Sequence, residues 1–430
     1  MKDPILFRRK DTLDPGEASY WKDLLYRVVK IGAELEVATP KGISRPDFEI
    51  QSRDALAPSE TLDRLGANGV LDIKPEHCGI EIRIIGRQPH FRSLQRQYTS
   101  IMNSLLALGG RARPTCGLHF HLLTPTLAEP VPEIILANLW NLTRRYGPEL
   151  KFLTSGGESR DGLCRRRQHN SHLEFVNHSS GVVHMSKIYQ ALKESLKVPE
   201  HQNFVNLEHV RFAESGAVLP FHIEFRFPDA DLSAISVTAK TILFLALLLK
   251  SVDLSQYGVV HVGRIQTWQR KKYLLDILSN NDGNLATSDT RAVDDNVIEE
   301  LRQGCYEMLD LLCPVFEGLS ASSALDVLLA LAERPVSLLR ISGYEWAQID
   351  ALLSERASAD PQGLDDTDRK LMQRIELGEW SGKTSLEAWK WRAAQELFLT
   401  PQDLERRLQR IDALRGVRWD ERHGSIVFTS

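Results

Sequence analysis

The chain lacks most of the features that place a protein at a glance. No apolar run is long enough to read as a bilayer span: the most apolar stretch, Ile242 to Leu249, falls well short of the roughly 20 residues such a span needs. The opening Met1-Lys2-Asp3-Pro4 has no apolar core of a signal peptide. Cysteine is scarce: the five residues (Cys78, Cys116, Cys164, Cys305, Cys313) are widely spaced and form no Cys-x-x-Cys pair. That argues against a disulfide framework and a thiolate zinc site, and it fits a reducing compartment. There is no surplus of positive charge, the net value being −4, so nothing calls for a nucleic-acid partner. These absences predict a soluble cytoplasmic protein with neither a membrane nor a nucleic acid to bind.

What remains is ordinary for a globular chain, with 42% hydrophobic and 26% charged residues over 430 positions. That length supports a large core and a second domain or subdomain. The patterning predicts an amphipathic piece around Trp21–Val29, a polar loop over about 40–68 ending in the turn signal Asn68-Gly69, and a helix over 93–108 closed by Gly109-Gly110. A longer helix is expected from about Pro132 to Phe152, strands around Asn203–Arg211 and Phe221–Phe227, and a helix over 233–252. After about residue 260 helical patterns dominate (297–316, 321–332, 344–355, 366–375 and 386–414), with a closing strand at 425–429.

Against this background four short segments stand out: Ala33-Glu34-Leu35-Glu36-Val37, Ile80-Glu81-Ile82-Arg83-Ile84, Leu118-His119-Phe120-His121-Leu122 and Ile223-Glu224-Phe225-Arg226-Phe227. Residues two apart on a strand share a face. Each segment therefore buries an apolar face and presents only Glu, His or Arg on the other, where a solvated face would mix in Thr, Ser, Lys and Gln. If the strands share one sheet, that face gathers four carboxylates, two imidazoles and two guanidiniums, a donor set for divalent cations bridging a polyphosphate.

Each pair alone also has a plainer reading. Glu34 and Glu36 would suit a solvated edge strand, though adjacent carboxylates repel unless a cation lies between them. Glu81 and Arg83 would suit a salt bridge; the functional reading makes Glu81 a ligand and Arg83 a phosphate or substrate contact. His119 and His121 form the sharper signal, because His-x-His on a strand aims both rings to one side. Zinc fits that spacing, whereas the surplus of carboxylates favours magnesium or manganese with at most one imidazole. The Gly156–His169 segment, glycine-rich and then arginine-rich, reads as a mobile functional loop. Within it Arg160 and Arg165–Arg167 are either a clamp for a γ-phosphate or anionic substrate, or a solvated basic loop.

In order along the chain, the segments Ile31-Gly32-Ala33-Glu34-Leu35-Glu36, Gly79-Ile80-Glu81-Ile82-Arg83, Cys116-Gly117-Leu118-His119-Phe120-His121 and His222-Ile223-Glu224-Phe225-Arg226-Phe227-Pro228-Asp229 resemble the carboxylate–amine ligase superfamily of glutamine synthetase and glutamate–cysteine ligase, and within it the amidoligases. The resemblance covers roughly residues 28–230. It implies an α+β fold, a curved antiparallel sheet with helices on its outer face; the change of character near residue 260 sets residues 1–260, as the catalytic domain, apart from 261–430, a mainly helical C-terminal region. The resemblance implies metal ligation by Glu34, Glu36, Glu81, His119 and Glu224, with Arg226 on ATP phosphates and His121 at the substrate; Arg83 as a phosphate or substrate contact, and Arg160 and Arg165 as further nucleotide contacts, rest on the residues themselves. The family's Asp-Gly before the second glutamate strand is replaced by Asn68-Gly69, with Asp72 nearby.

The activity so implied is ATP- and Mg2+- or Mn2+-dependent amide formation through an acyl phosphate, with the Gly156–His169 loop as a lid. The alternative is a metal-dependent amide or isopeptide hydrolase; a third reading is an inactive scaffold. The segment Val417-Arg418-Trp419-Asp420 faintly resembles the tail of ligases that attach ubiquitin-like Pup proteins. It keeps open a peptide or protein carboxylate as substrate, alongside small molecules, and the chain's self-association is a further expectation.

Overall fold

A computed structural model describes residues 6–8, 12–59, 61, 65, 68–86, 91–113, 115–124, 127, 129, 131–156, 205–208, 211–212, 218–219, 222–261, 295–358, 371, 386–396, 400–401, 404–408, 417–420 and 425–428. After a short strand β1 (Leu6–Arg8), helix α1 (Pro15–Val28) begins at a capping box: the Asp14 carboxylate accepts the Glu17 N–H, and Glu17 accepts the Asp14 N–H. Strand β2 (Lys30–Ala38) follows.

The stretch read as a polar loop over 40–68 instead contains helix α2 (Arg45–Leu56). Ser44 caps it by accepting the Asp47 N–H, and Phe48, Ser52 and Leu56, four residues apart, form its buried stripe. With only two large apolar residues on that stripe, the helical period was hidden among charges. α2 covers β3 (Val70–Pro75) and β4 (Gly79–Gly86). The turn into β3 requires Gly69, whose φ is +64° and where a Cβ would stand 2.6 Å from the Ile85 carbonyl oxygen.

Helix α3 (Phe91–Ala107) ends as expected at the glycine pair: Gly109 has φ +78°, and the N–H groups of Gly109 and Gly110 reach back to the carbonyls of Leu106 and Leu105. β5 (Leu118–Leu123) comes next. The single helix expected over 132–152 is two, α4 (Glu133–Arg145) and α5 (Gly147–Leu153). They part at Tyr146 because Pro148 has no N–H to give and its ring would meet the carbonyl four residues back. β6 (Val205–Glu208), the pair β7 (Arg211–Phe212) and β8 (Val218–Leu219), β9 (His222–Phe225), helix α6 (Ala234–Ser255) and β10 (Val259–His261) complete the first half. The second half carries α7 (Asp295–Gly318), α8 (Ser322–Glu333), α9 (Val336–Ile341), α10 (Trp346–Ser358), α11 (Leu386–Glu396) and the hairpin β11 (Val417–Asp420) to β12 (Ser425–Phe428).

Six strands form one open antiparallel sheet in the order β3-β4-β2-β5-β9-β6, and β1 pairs separately with β10. Across β2, β4, β5 and β9 one face is apolar: Ile31, Ala33, Leu35, Val37, Ile80, Ile82, Ile84, Leu118, Phe120, Leu122, Ile223 and Phe225 are all buried. α6 lies under that face, where Phe244 stacks on Phe120 at 4.9 Å and on Phe225 at 4.4 Å between ring centroids. α6 in turn is wrapped by α1, α3, α4, α7, α8 and α10.

By length and composition this 22-residue helix would cross a membrane, longer than the apolar run alone indicated, but 94% of its apolar window is buried inside the protein. An all-round apolar helix is what a helix enclosed on every side requires. The architecture is α+β, with a mainly helical C-terminal region. Cys78, Cys116 and Cys313 are free thiols, and the buried Cys305 thiol donates to the Glu149 carbonyl at 3.4 Å.

Candidate active site

Register gathers the polar face. Glu34 on β2 is the pairing partner of Arg83 on β4 and of His119 on β5, and Glu36 is the partner of Glu81. His121 is the partner of Glu224 on β9 and, on its other side, of Gly32. The missing side chain at Gly32 leaves room for the imidazole, since a Cβ there would stand 3.2 Å from that of His121. The segments separated by nearly two hundred positions therefore lie on four adjacent strands, β4, β2, β5 and β9, inside the sheet.

Four side chains, Glu34, His119, His121 and Glu224, bring one donor atom each to within 4.8 Å of one another. Nδ1 of His119 lies 3.3 Å from Glu34 Oε2 and 3.0 Å from Glu224 Oε1, and Nε2 of His121 lies 3.6 Å from Glu34 Oε2. Donors bound to one divalent ion at about 2.0–2.2 Å sit roughly 3.0–3.6 Å apart, so this spacing suits a shared ion. The Nε2 atom of His121 is buried without a hydrogen bond, which suits a metal donor as well. The donor set fits a divalent cation.

Glu36 and Glu81 stand outside that group. Glu36 Oε2 accepts the Gly117 N–H at 2.6 Å while Oε1 lies 3.4 Å from His119 Nε2. Glu81 turns to Arg83, whose Nε lies 3.0 Å from Glu81 Oε1 and 3.1 Å from Glu34 Oε1. On the far side Arg226 Nη1 donates to Glu224 Oε1. Two guanidiniums thus flank the carboxylates on the same face.

Burial alone would raise the pKa of Glu34, but the hydrogen bonds and charge of His119 and His121 outweigh it and hold the carboxyl well below the usual range. Glu224, also pushed up by burial, is brought lower still by His119 and Arg226. Glu81 moves the other way, since burial and the charge of Glu34 outweigh Arg83. Burial would lower the pKa of Arg83, but the negative charge of Glu34 and its bond to Glu81 raise it, so it stays a fixed cation.

Asp72, near the altered Asn68-Gly69 turn, is tied at the sheet edge by Arg53 at 3.4 Å and by the Ile73 N–H at 2.8 Å. Arg160, Arg165 and the rest of the proposed lid after Gly156 lie outside the described residues. The residue not assigned any role from the sequence is His222, whose Nε2 is 2.7 Å from His121 Nδ1. The signal was present: His222, Glu224 and Arg226 continue the same two-residue alternation. A separate cavity of about 650 Å³, lined by Arg92, Arg96, Ser323 and Ser354, lies among the helices and takes no side chain from this face.

No family model and no curated protein matches the sequence. Among solved structures, a bifunctional glutathione synthetase from Pasteurella multocida superposes with a TM-score of 0.37 at 12% identity, over 84% of this chain and 57% of that one. The ligase PafA in complex with the prokaryotic ubiquitin-like protein Pup gives 0.33 at 13% identity, over 92% and 77%. A glutamine synthase homolog gives 0.33 at 13%, over 79% and 74%. This chain therefore spans little more than half the length of the glutathione synthetase. Likeness at this level says nothing about what the chain binds or transforms.

Proposed function

We propose that the chain is an ATP-dependent carboxylate–amine ligase, with residues 1–260 as the catalytic part and 261–430 as a mainly helical support. The observation that carries this reading is the convergence of Glu34, His119, His121 and Glu224 beside Arg83 and Arg226 on one face of an open sheet. The order of the four sequence segments supports it. A bound divalent cation supplies neutralisation of the triphosphate and a fixed orientation for the γ-phosphoryl group.

Glu34, His119, His121 and Glu224 would hold that ion, and the facing pair Glu36 and Glu81 would serve a second. Arg226 and Arg83 offer permanent charge in a fork that suits phosphate and carboxylate oxygens. The substrate carboxylate attacks the γ-phosphorus and releases ADP; the amine then attacks the acyl carbon, expels phosphate and loses a proton. Arg160 and Arg165, in the segment after Gly156, are the proposed cover that keeps water from the acyl phosphate.

ADP release, measured with Mg2+ or Mn2+ and pooled amino acids, peptides and polyamines, tests the proposal. Turnover should require both a carboxylate and an amine, and Glu34→Gln should abolish it; turnover that survives the substitution removes the metal assignment. The presence of two imidazoles beside two carboxylates favours a second reading, a metal-dependent amide or isopeptide hydrolase. Cleavage of amide substrates without nucleotide would select it.

A further inference from the structure

We propose that His222 is a positioning residue that fixes the tautomer of His121, and that it thereby makes the centre a two-imidazole site preferring Co2+ or Zn2+ to Mg2+. The inference rests on the metal site of the proposed function, but not on which reaction occurs there. His121 lies deep in the face, and its two ring nitrogens have different surroundings. Nδ1 is 2.7 Å from Nε2 of His222, whose ring centre lies 5.0 Å away at a tilt of 36°. Nε2 is buried, makes no hydrogen bond and points toward Glu34 Oε2 at 3.6 Å.

A cation can use Nε2 only when the proton sits on Nδ1, and a buried Nδ1–H needs an acceptor. Nε2 of His222, 2.7 Å away, serves as that acceptor when the proton of His222 sits on its own Nδ1. In the opposite tautomer His121 would aim an N–H at the donor group and could not ligate, leaving one imidazole and two carboxylates. That smaller set suits magnesium; with both imidazoles available the set suits zinc and cobalt. The hydrogen bond between His121 and His222 therefore decides the preference of the centre for its ion. Partners of this kind, behind a ligating imidazole, contribute about 10–100-fold in metal affinity.

The test is metal titration of the full-length protein by calorimetry, with the visible spectrum of bound Co2+ as a second readout. Wild type should bind Co2+ and Zn2+ at least 10-fold more tightly than Mg2+. His222→Leu should weaken Co2+ about 10–100-fold, leave Mg2+ almost unchanged, and shift the Co2+ spectrum toward that of His121→Leu. His222→Gln, whose amide oxygen can accept the Nδ1–H, should restore most of the loss. Unchanged Co2+ affinity and spectrum in His222→Leu would overturn the inference, as would equal losses for Co2+ and Mg2+, which mark a merely structural effect. If the Leu variant does not fold, the wild-type preference decides: equal affinity for Co2+ and Mg2+ overturns the inference. Failure of wild type to bind any divalent ion would instead bring down the metal centre itself.

Discussion

Glu34 is the residue on which the charge balance of the face turns, because it touches His119, His121 and Arg83 at once. Glu34 and Glu224 both have folded pKa values below the ordinary carboxylate range. A depressed carboxylate stabilises the fold above its unfolded pKa, and that contribution fades as pH falls through the folded value. Denaturant melts from pH 6 downward should therefore lose stability in acid, and Glu224→Gln should flatten the acid limb. An unchanged limb would show that the pairs are not formed in solution.

Tyr98 gives the opposite limb. Fully buried beneath α6, it accepts a hydrogen bond from Thr241, and its pKa is pushed up to about 12 by burial. The unfolded chain ionises near pH 10, so stability should fall by roughly 1.4 kcal/mol per pH unit from there to the folded value. Tyr98→Phe should remove that slope, as alkaline denaturation curves would reveal.

At the scale of elements, the sheet works because every strand of the site obeys the same alternation. The apolar face rests on Phe244 of α6, which stacks between Phe120 and Phe225 directly beneath His119, His121 and Glu224. Phe244→Ala should cost about 3–5 kcal/mol in chemical unfolding, and the cavity should loosen the donor atoms above it. At the N-terminus of α1, Asp14→Ala removes half of a capping box and should cost about 1 kcal/mol.

The strands β2, β4, β5 and β9 were legible because period-two alternation is strong wherever one face is apolar and the other charged. α2 was not, because Phe48 and Leu56 are its only large buried residues, and its Ser44–Pro46 start looks like loop chemistry. The break at Tyr146 was missed because apolar residues continue on both sides of Pro148, and buried helices carry no amphipathic period to interrupt.

On the scale of the whole molecule, the helical second half is locked to the first through the start of α6. The Ser233 hydroxyl and the Ile235 N–H both donate to Asp350 on α10, while Lys240 and Asp231 form a fully buried ion pair nearby, 2.6 Å apart. Burial, then the charge of Asp231, pushes the Asp350 pKa up. A raised carboxylate pKa gives stability that is full below the unfolded value and is lost as pH rises through the folded one. Asp350→Asn keeps the acceptor and removes the charge, so it should be near neutral and abolish that pH dependence. Asp350→Ala leaves two donors unmet and should cost about 1–3 kcal/mol, measurable as a lower thermal midpoint.

By itself the sequence determined which residues carry charge on each strand and which face they occupy, since alternation is a local property of an extended chain. It also carried the four segments in an order that resembles a ligase family. Strand order and register belong to the tertiary structure alone, because the pairing of Glu34 with His119 and of His121 with Glu224 is set by which apolar faces pack over α6. The same packing brought His222 to His121, parted Glu36 and Glu81 from the four-donor group, and enclosed a helix that composition alone would allow to cross a bilayer. Distances between side chains far apart in the chain are consequences of that packing, and no local pattern encodes them.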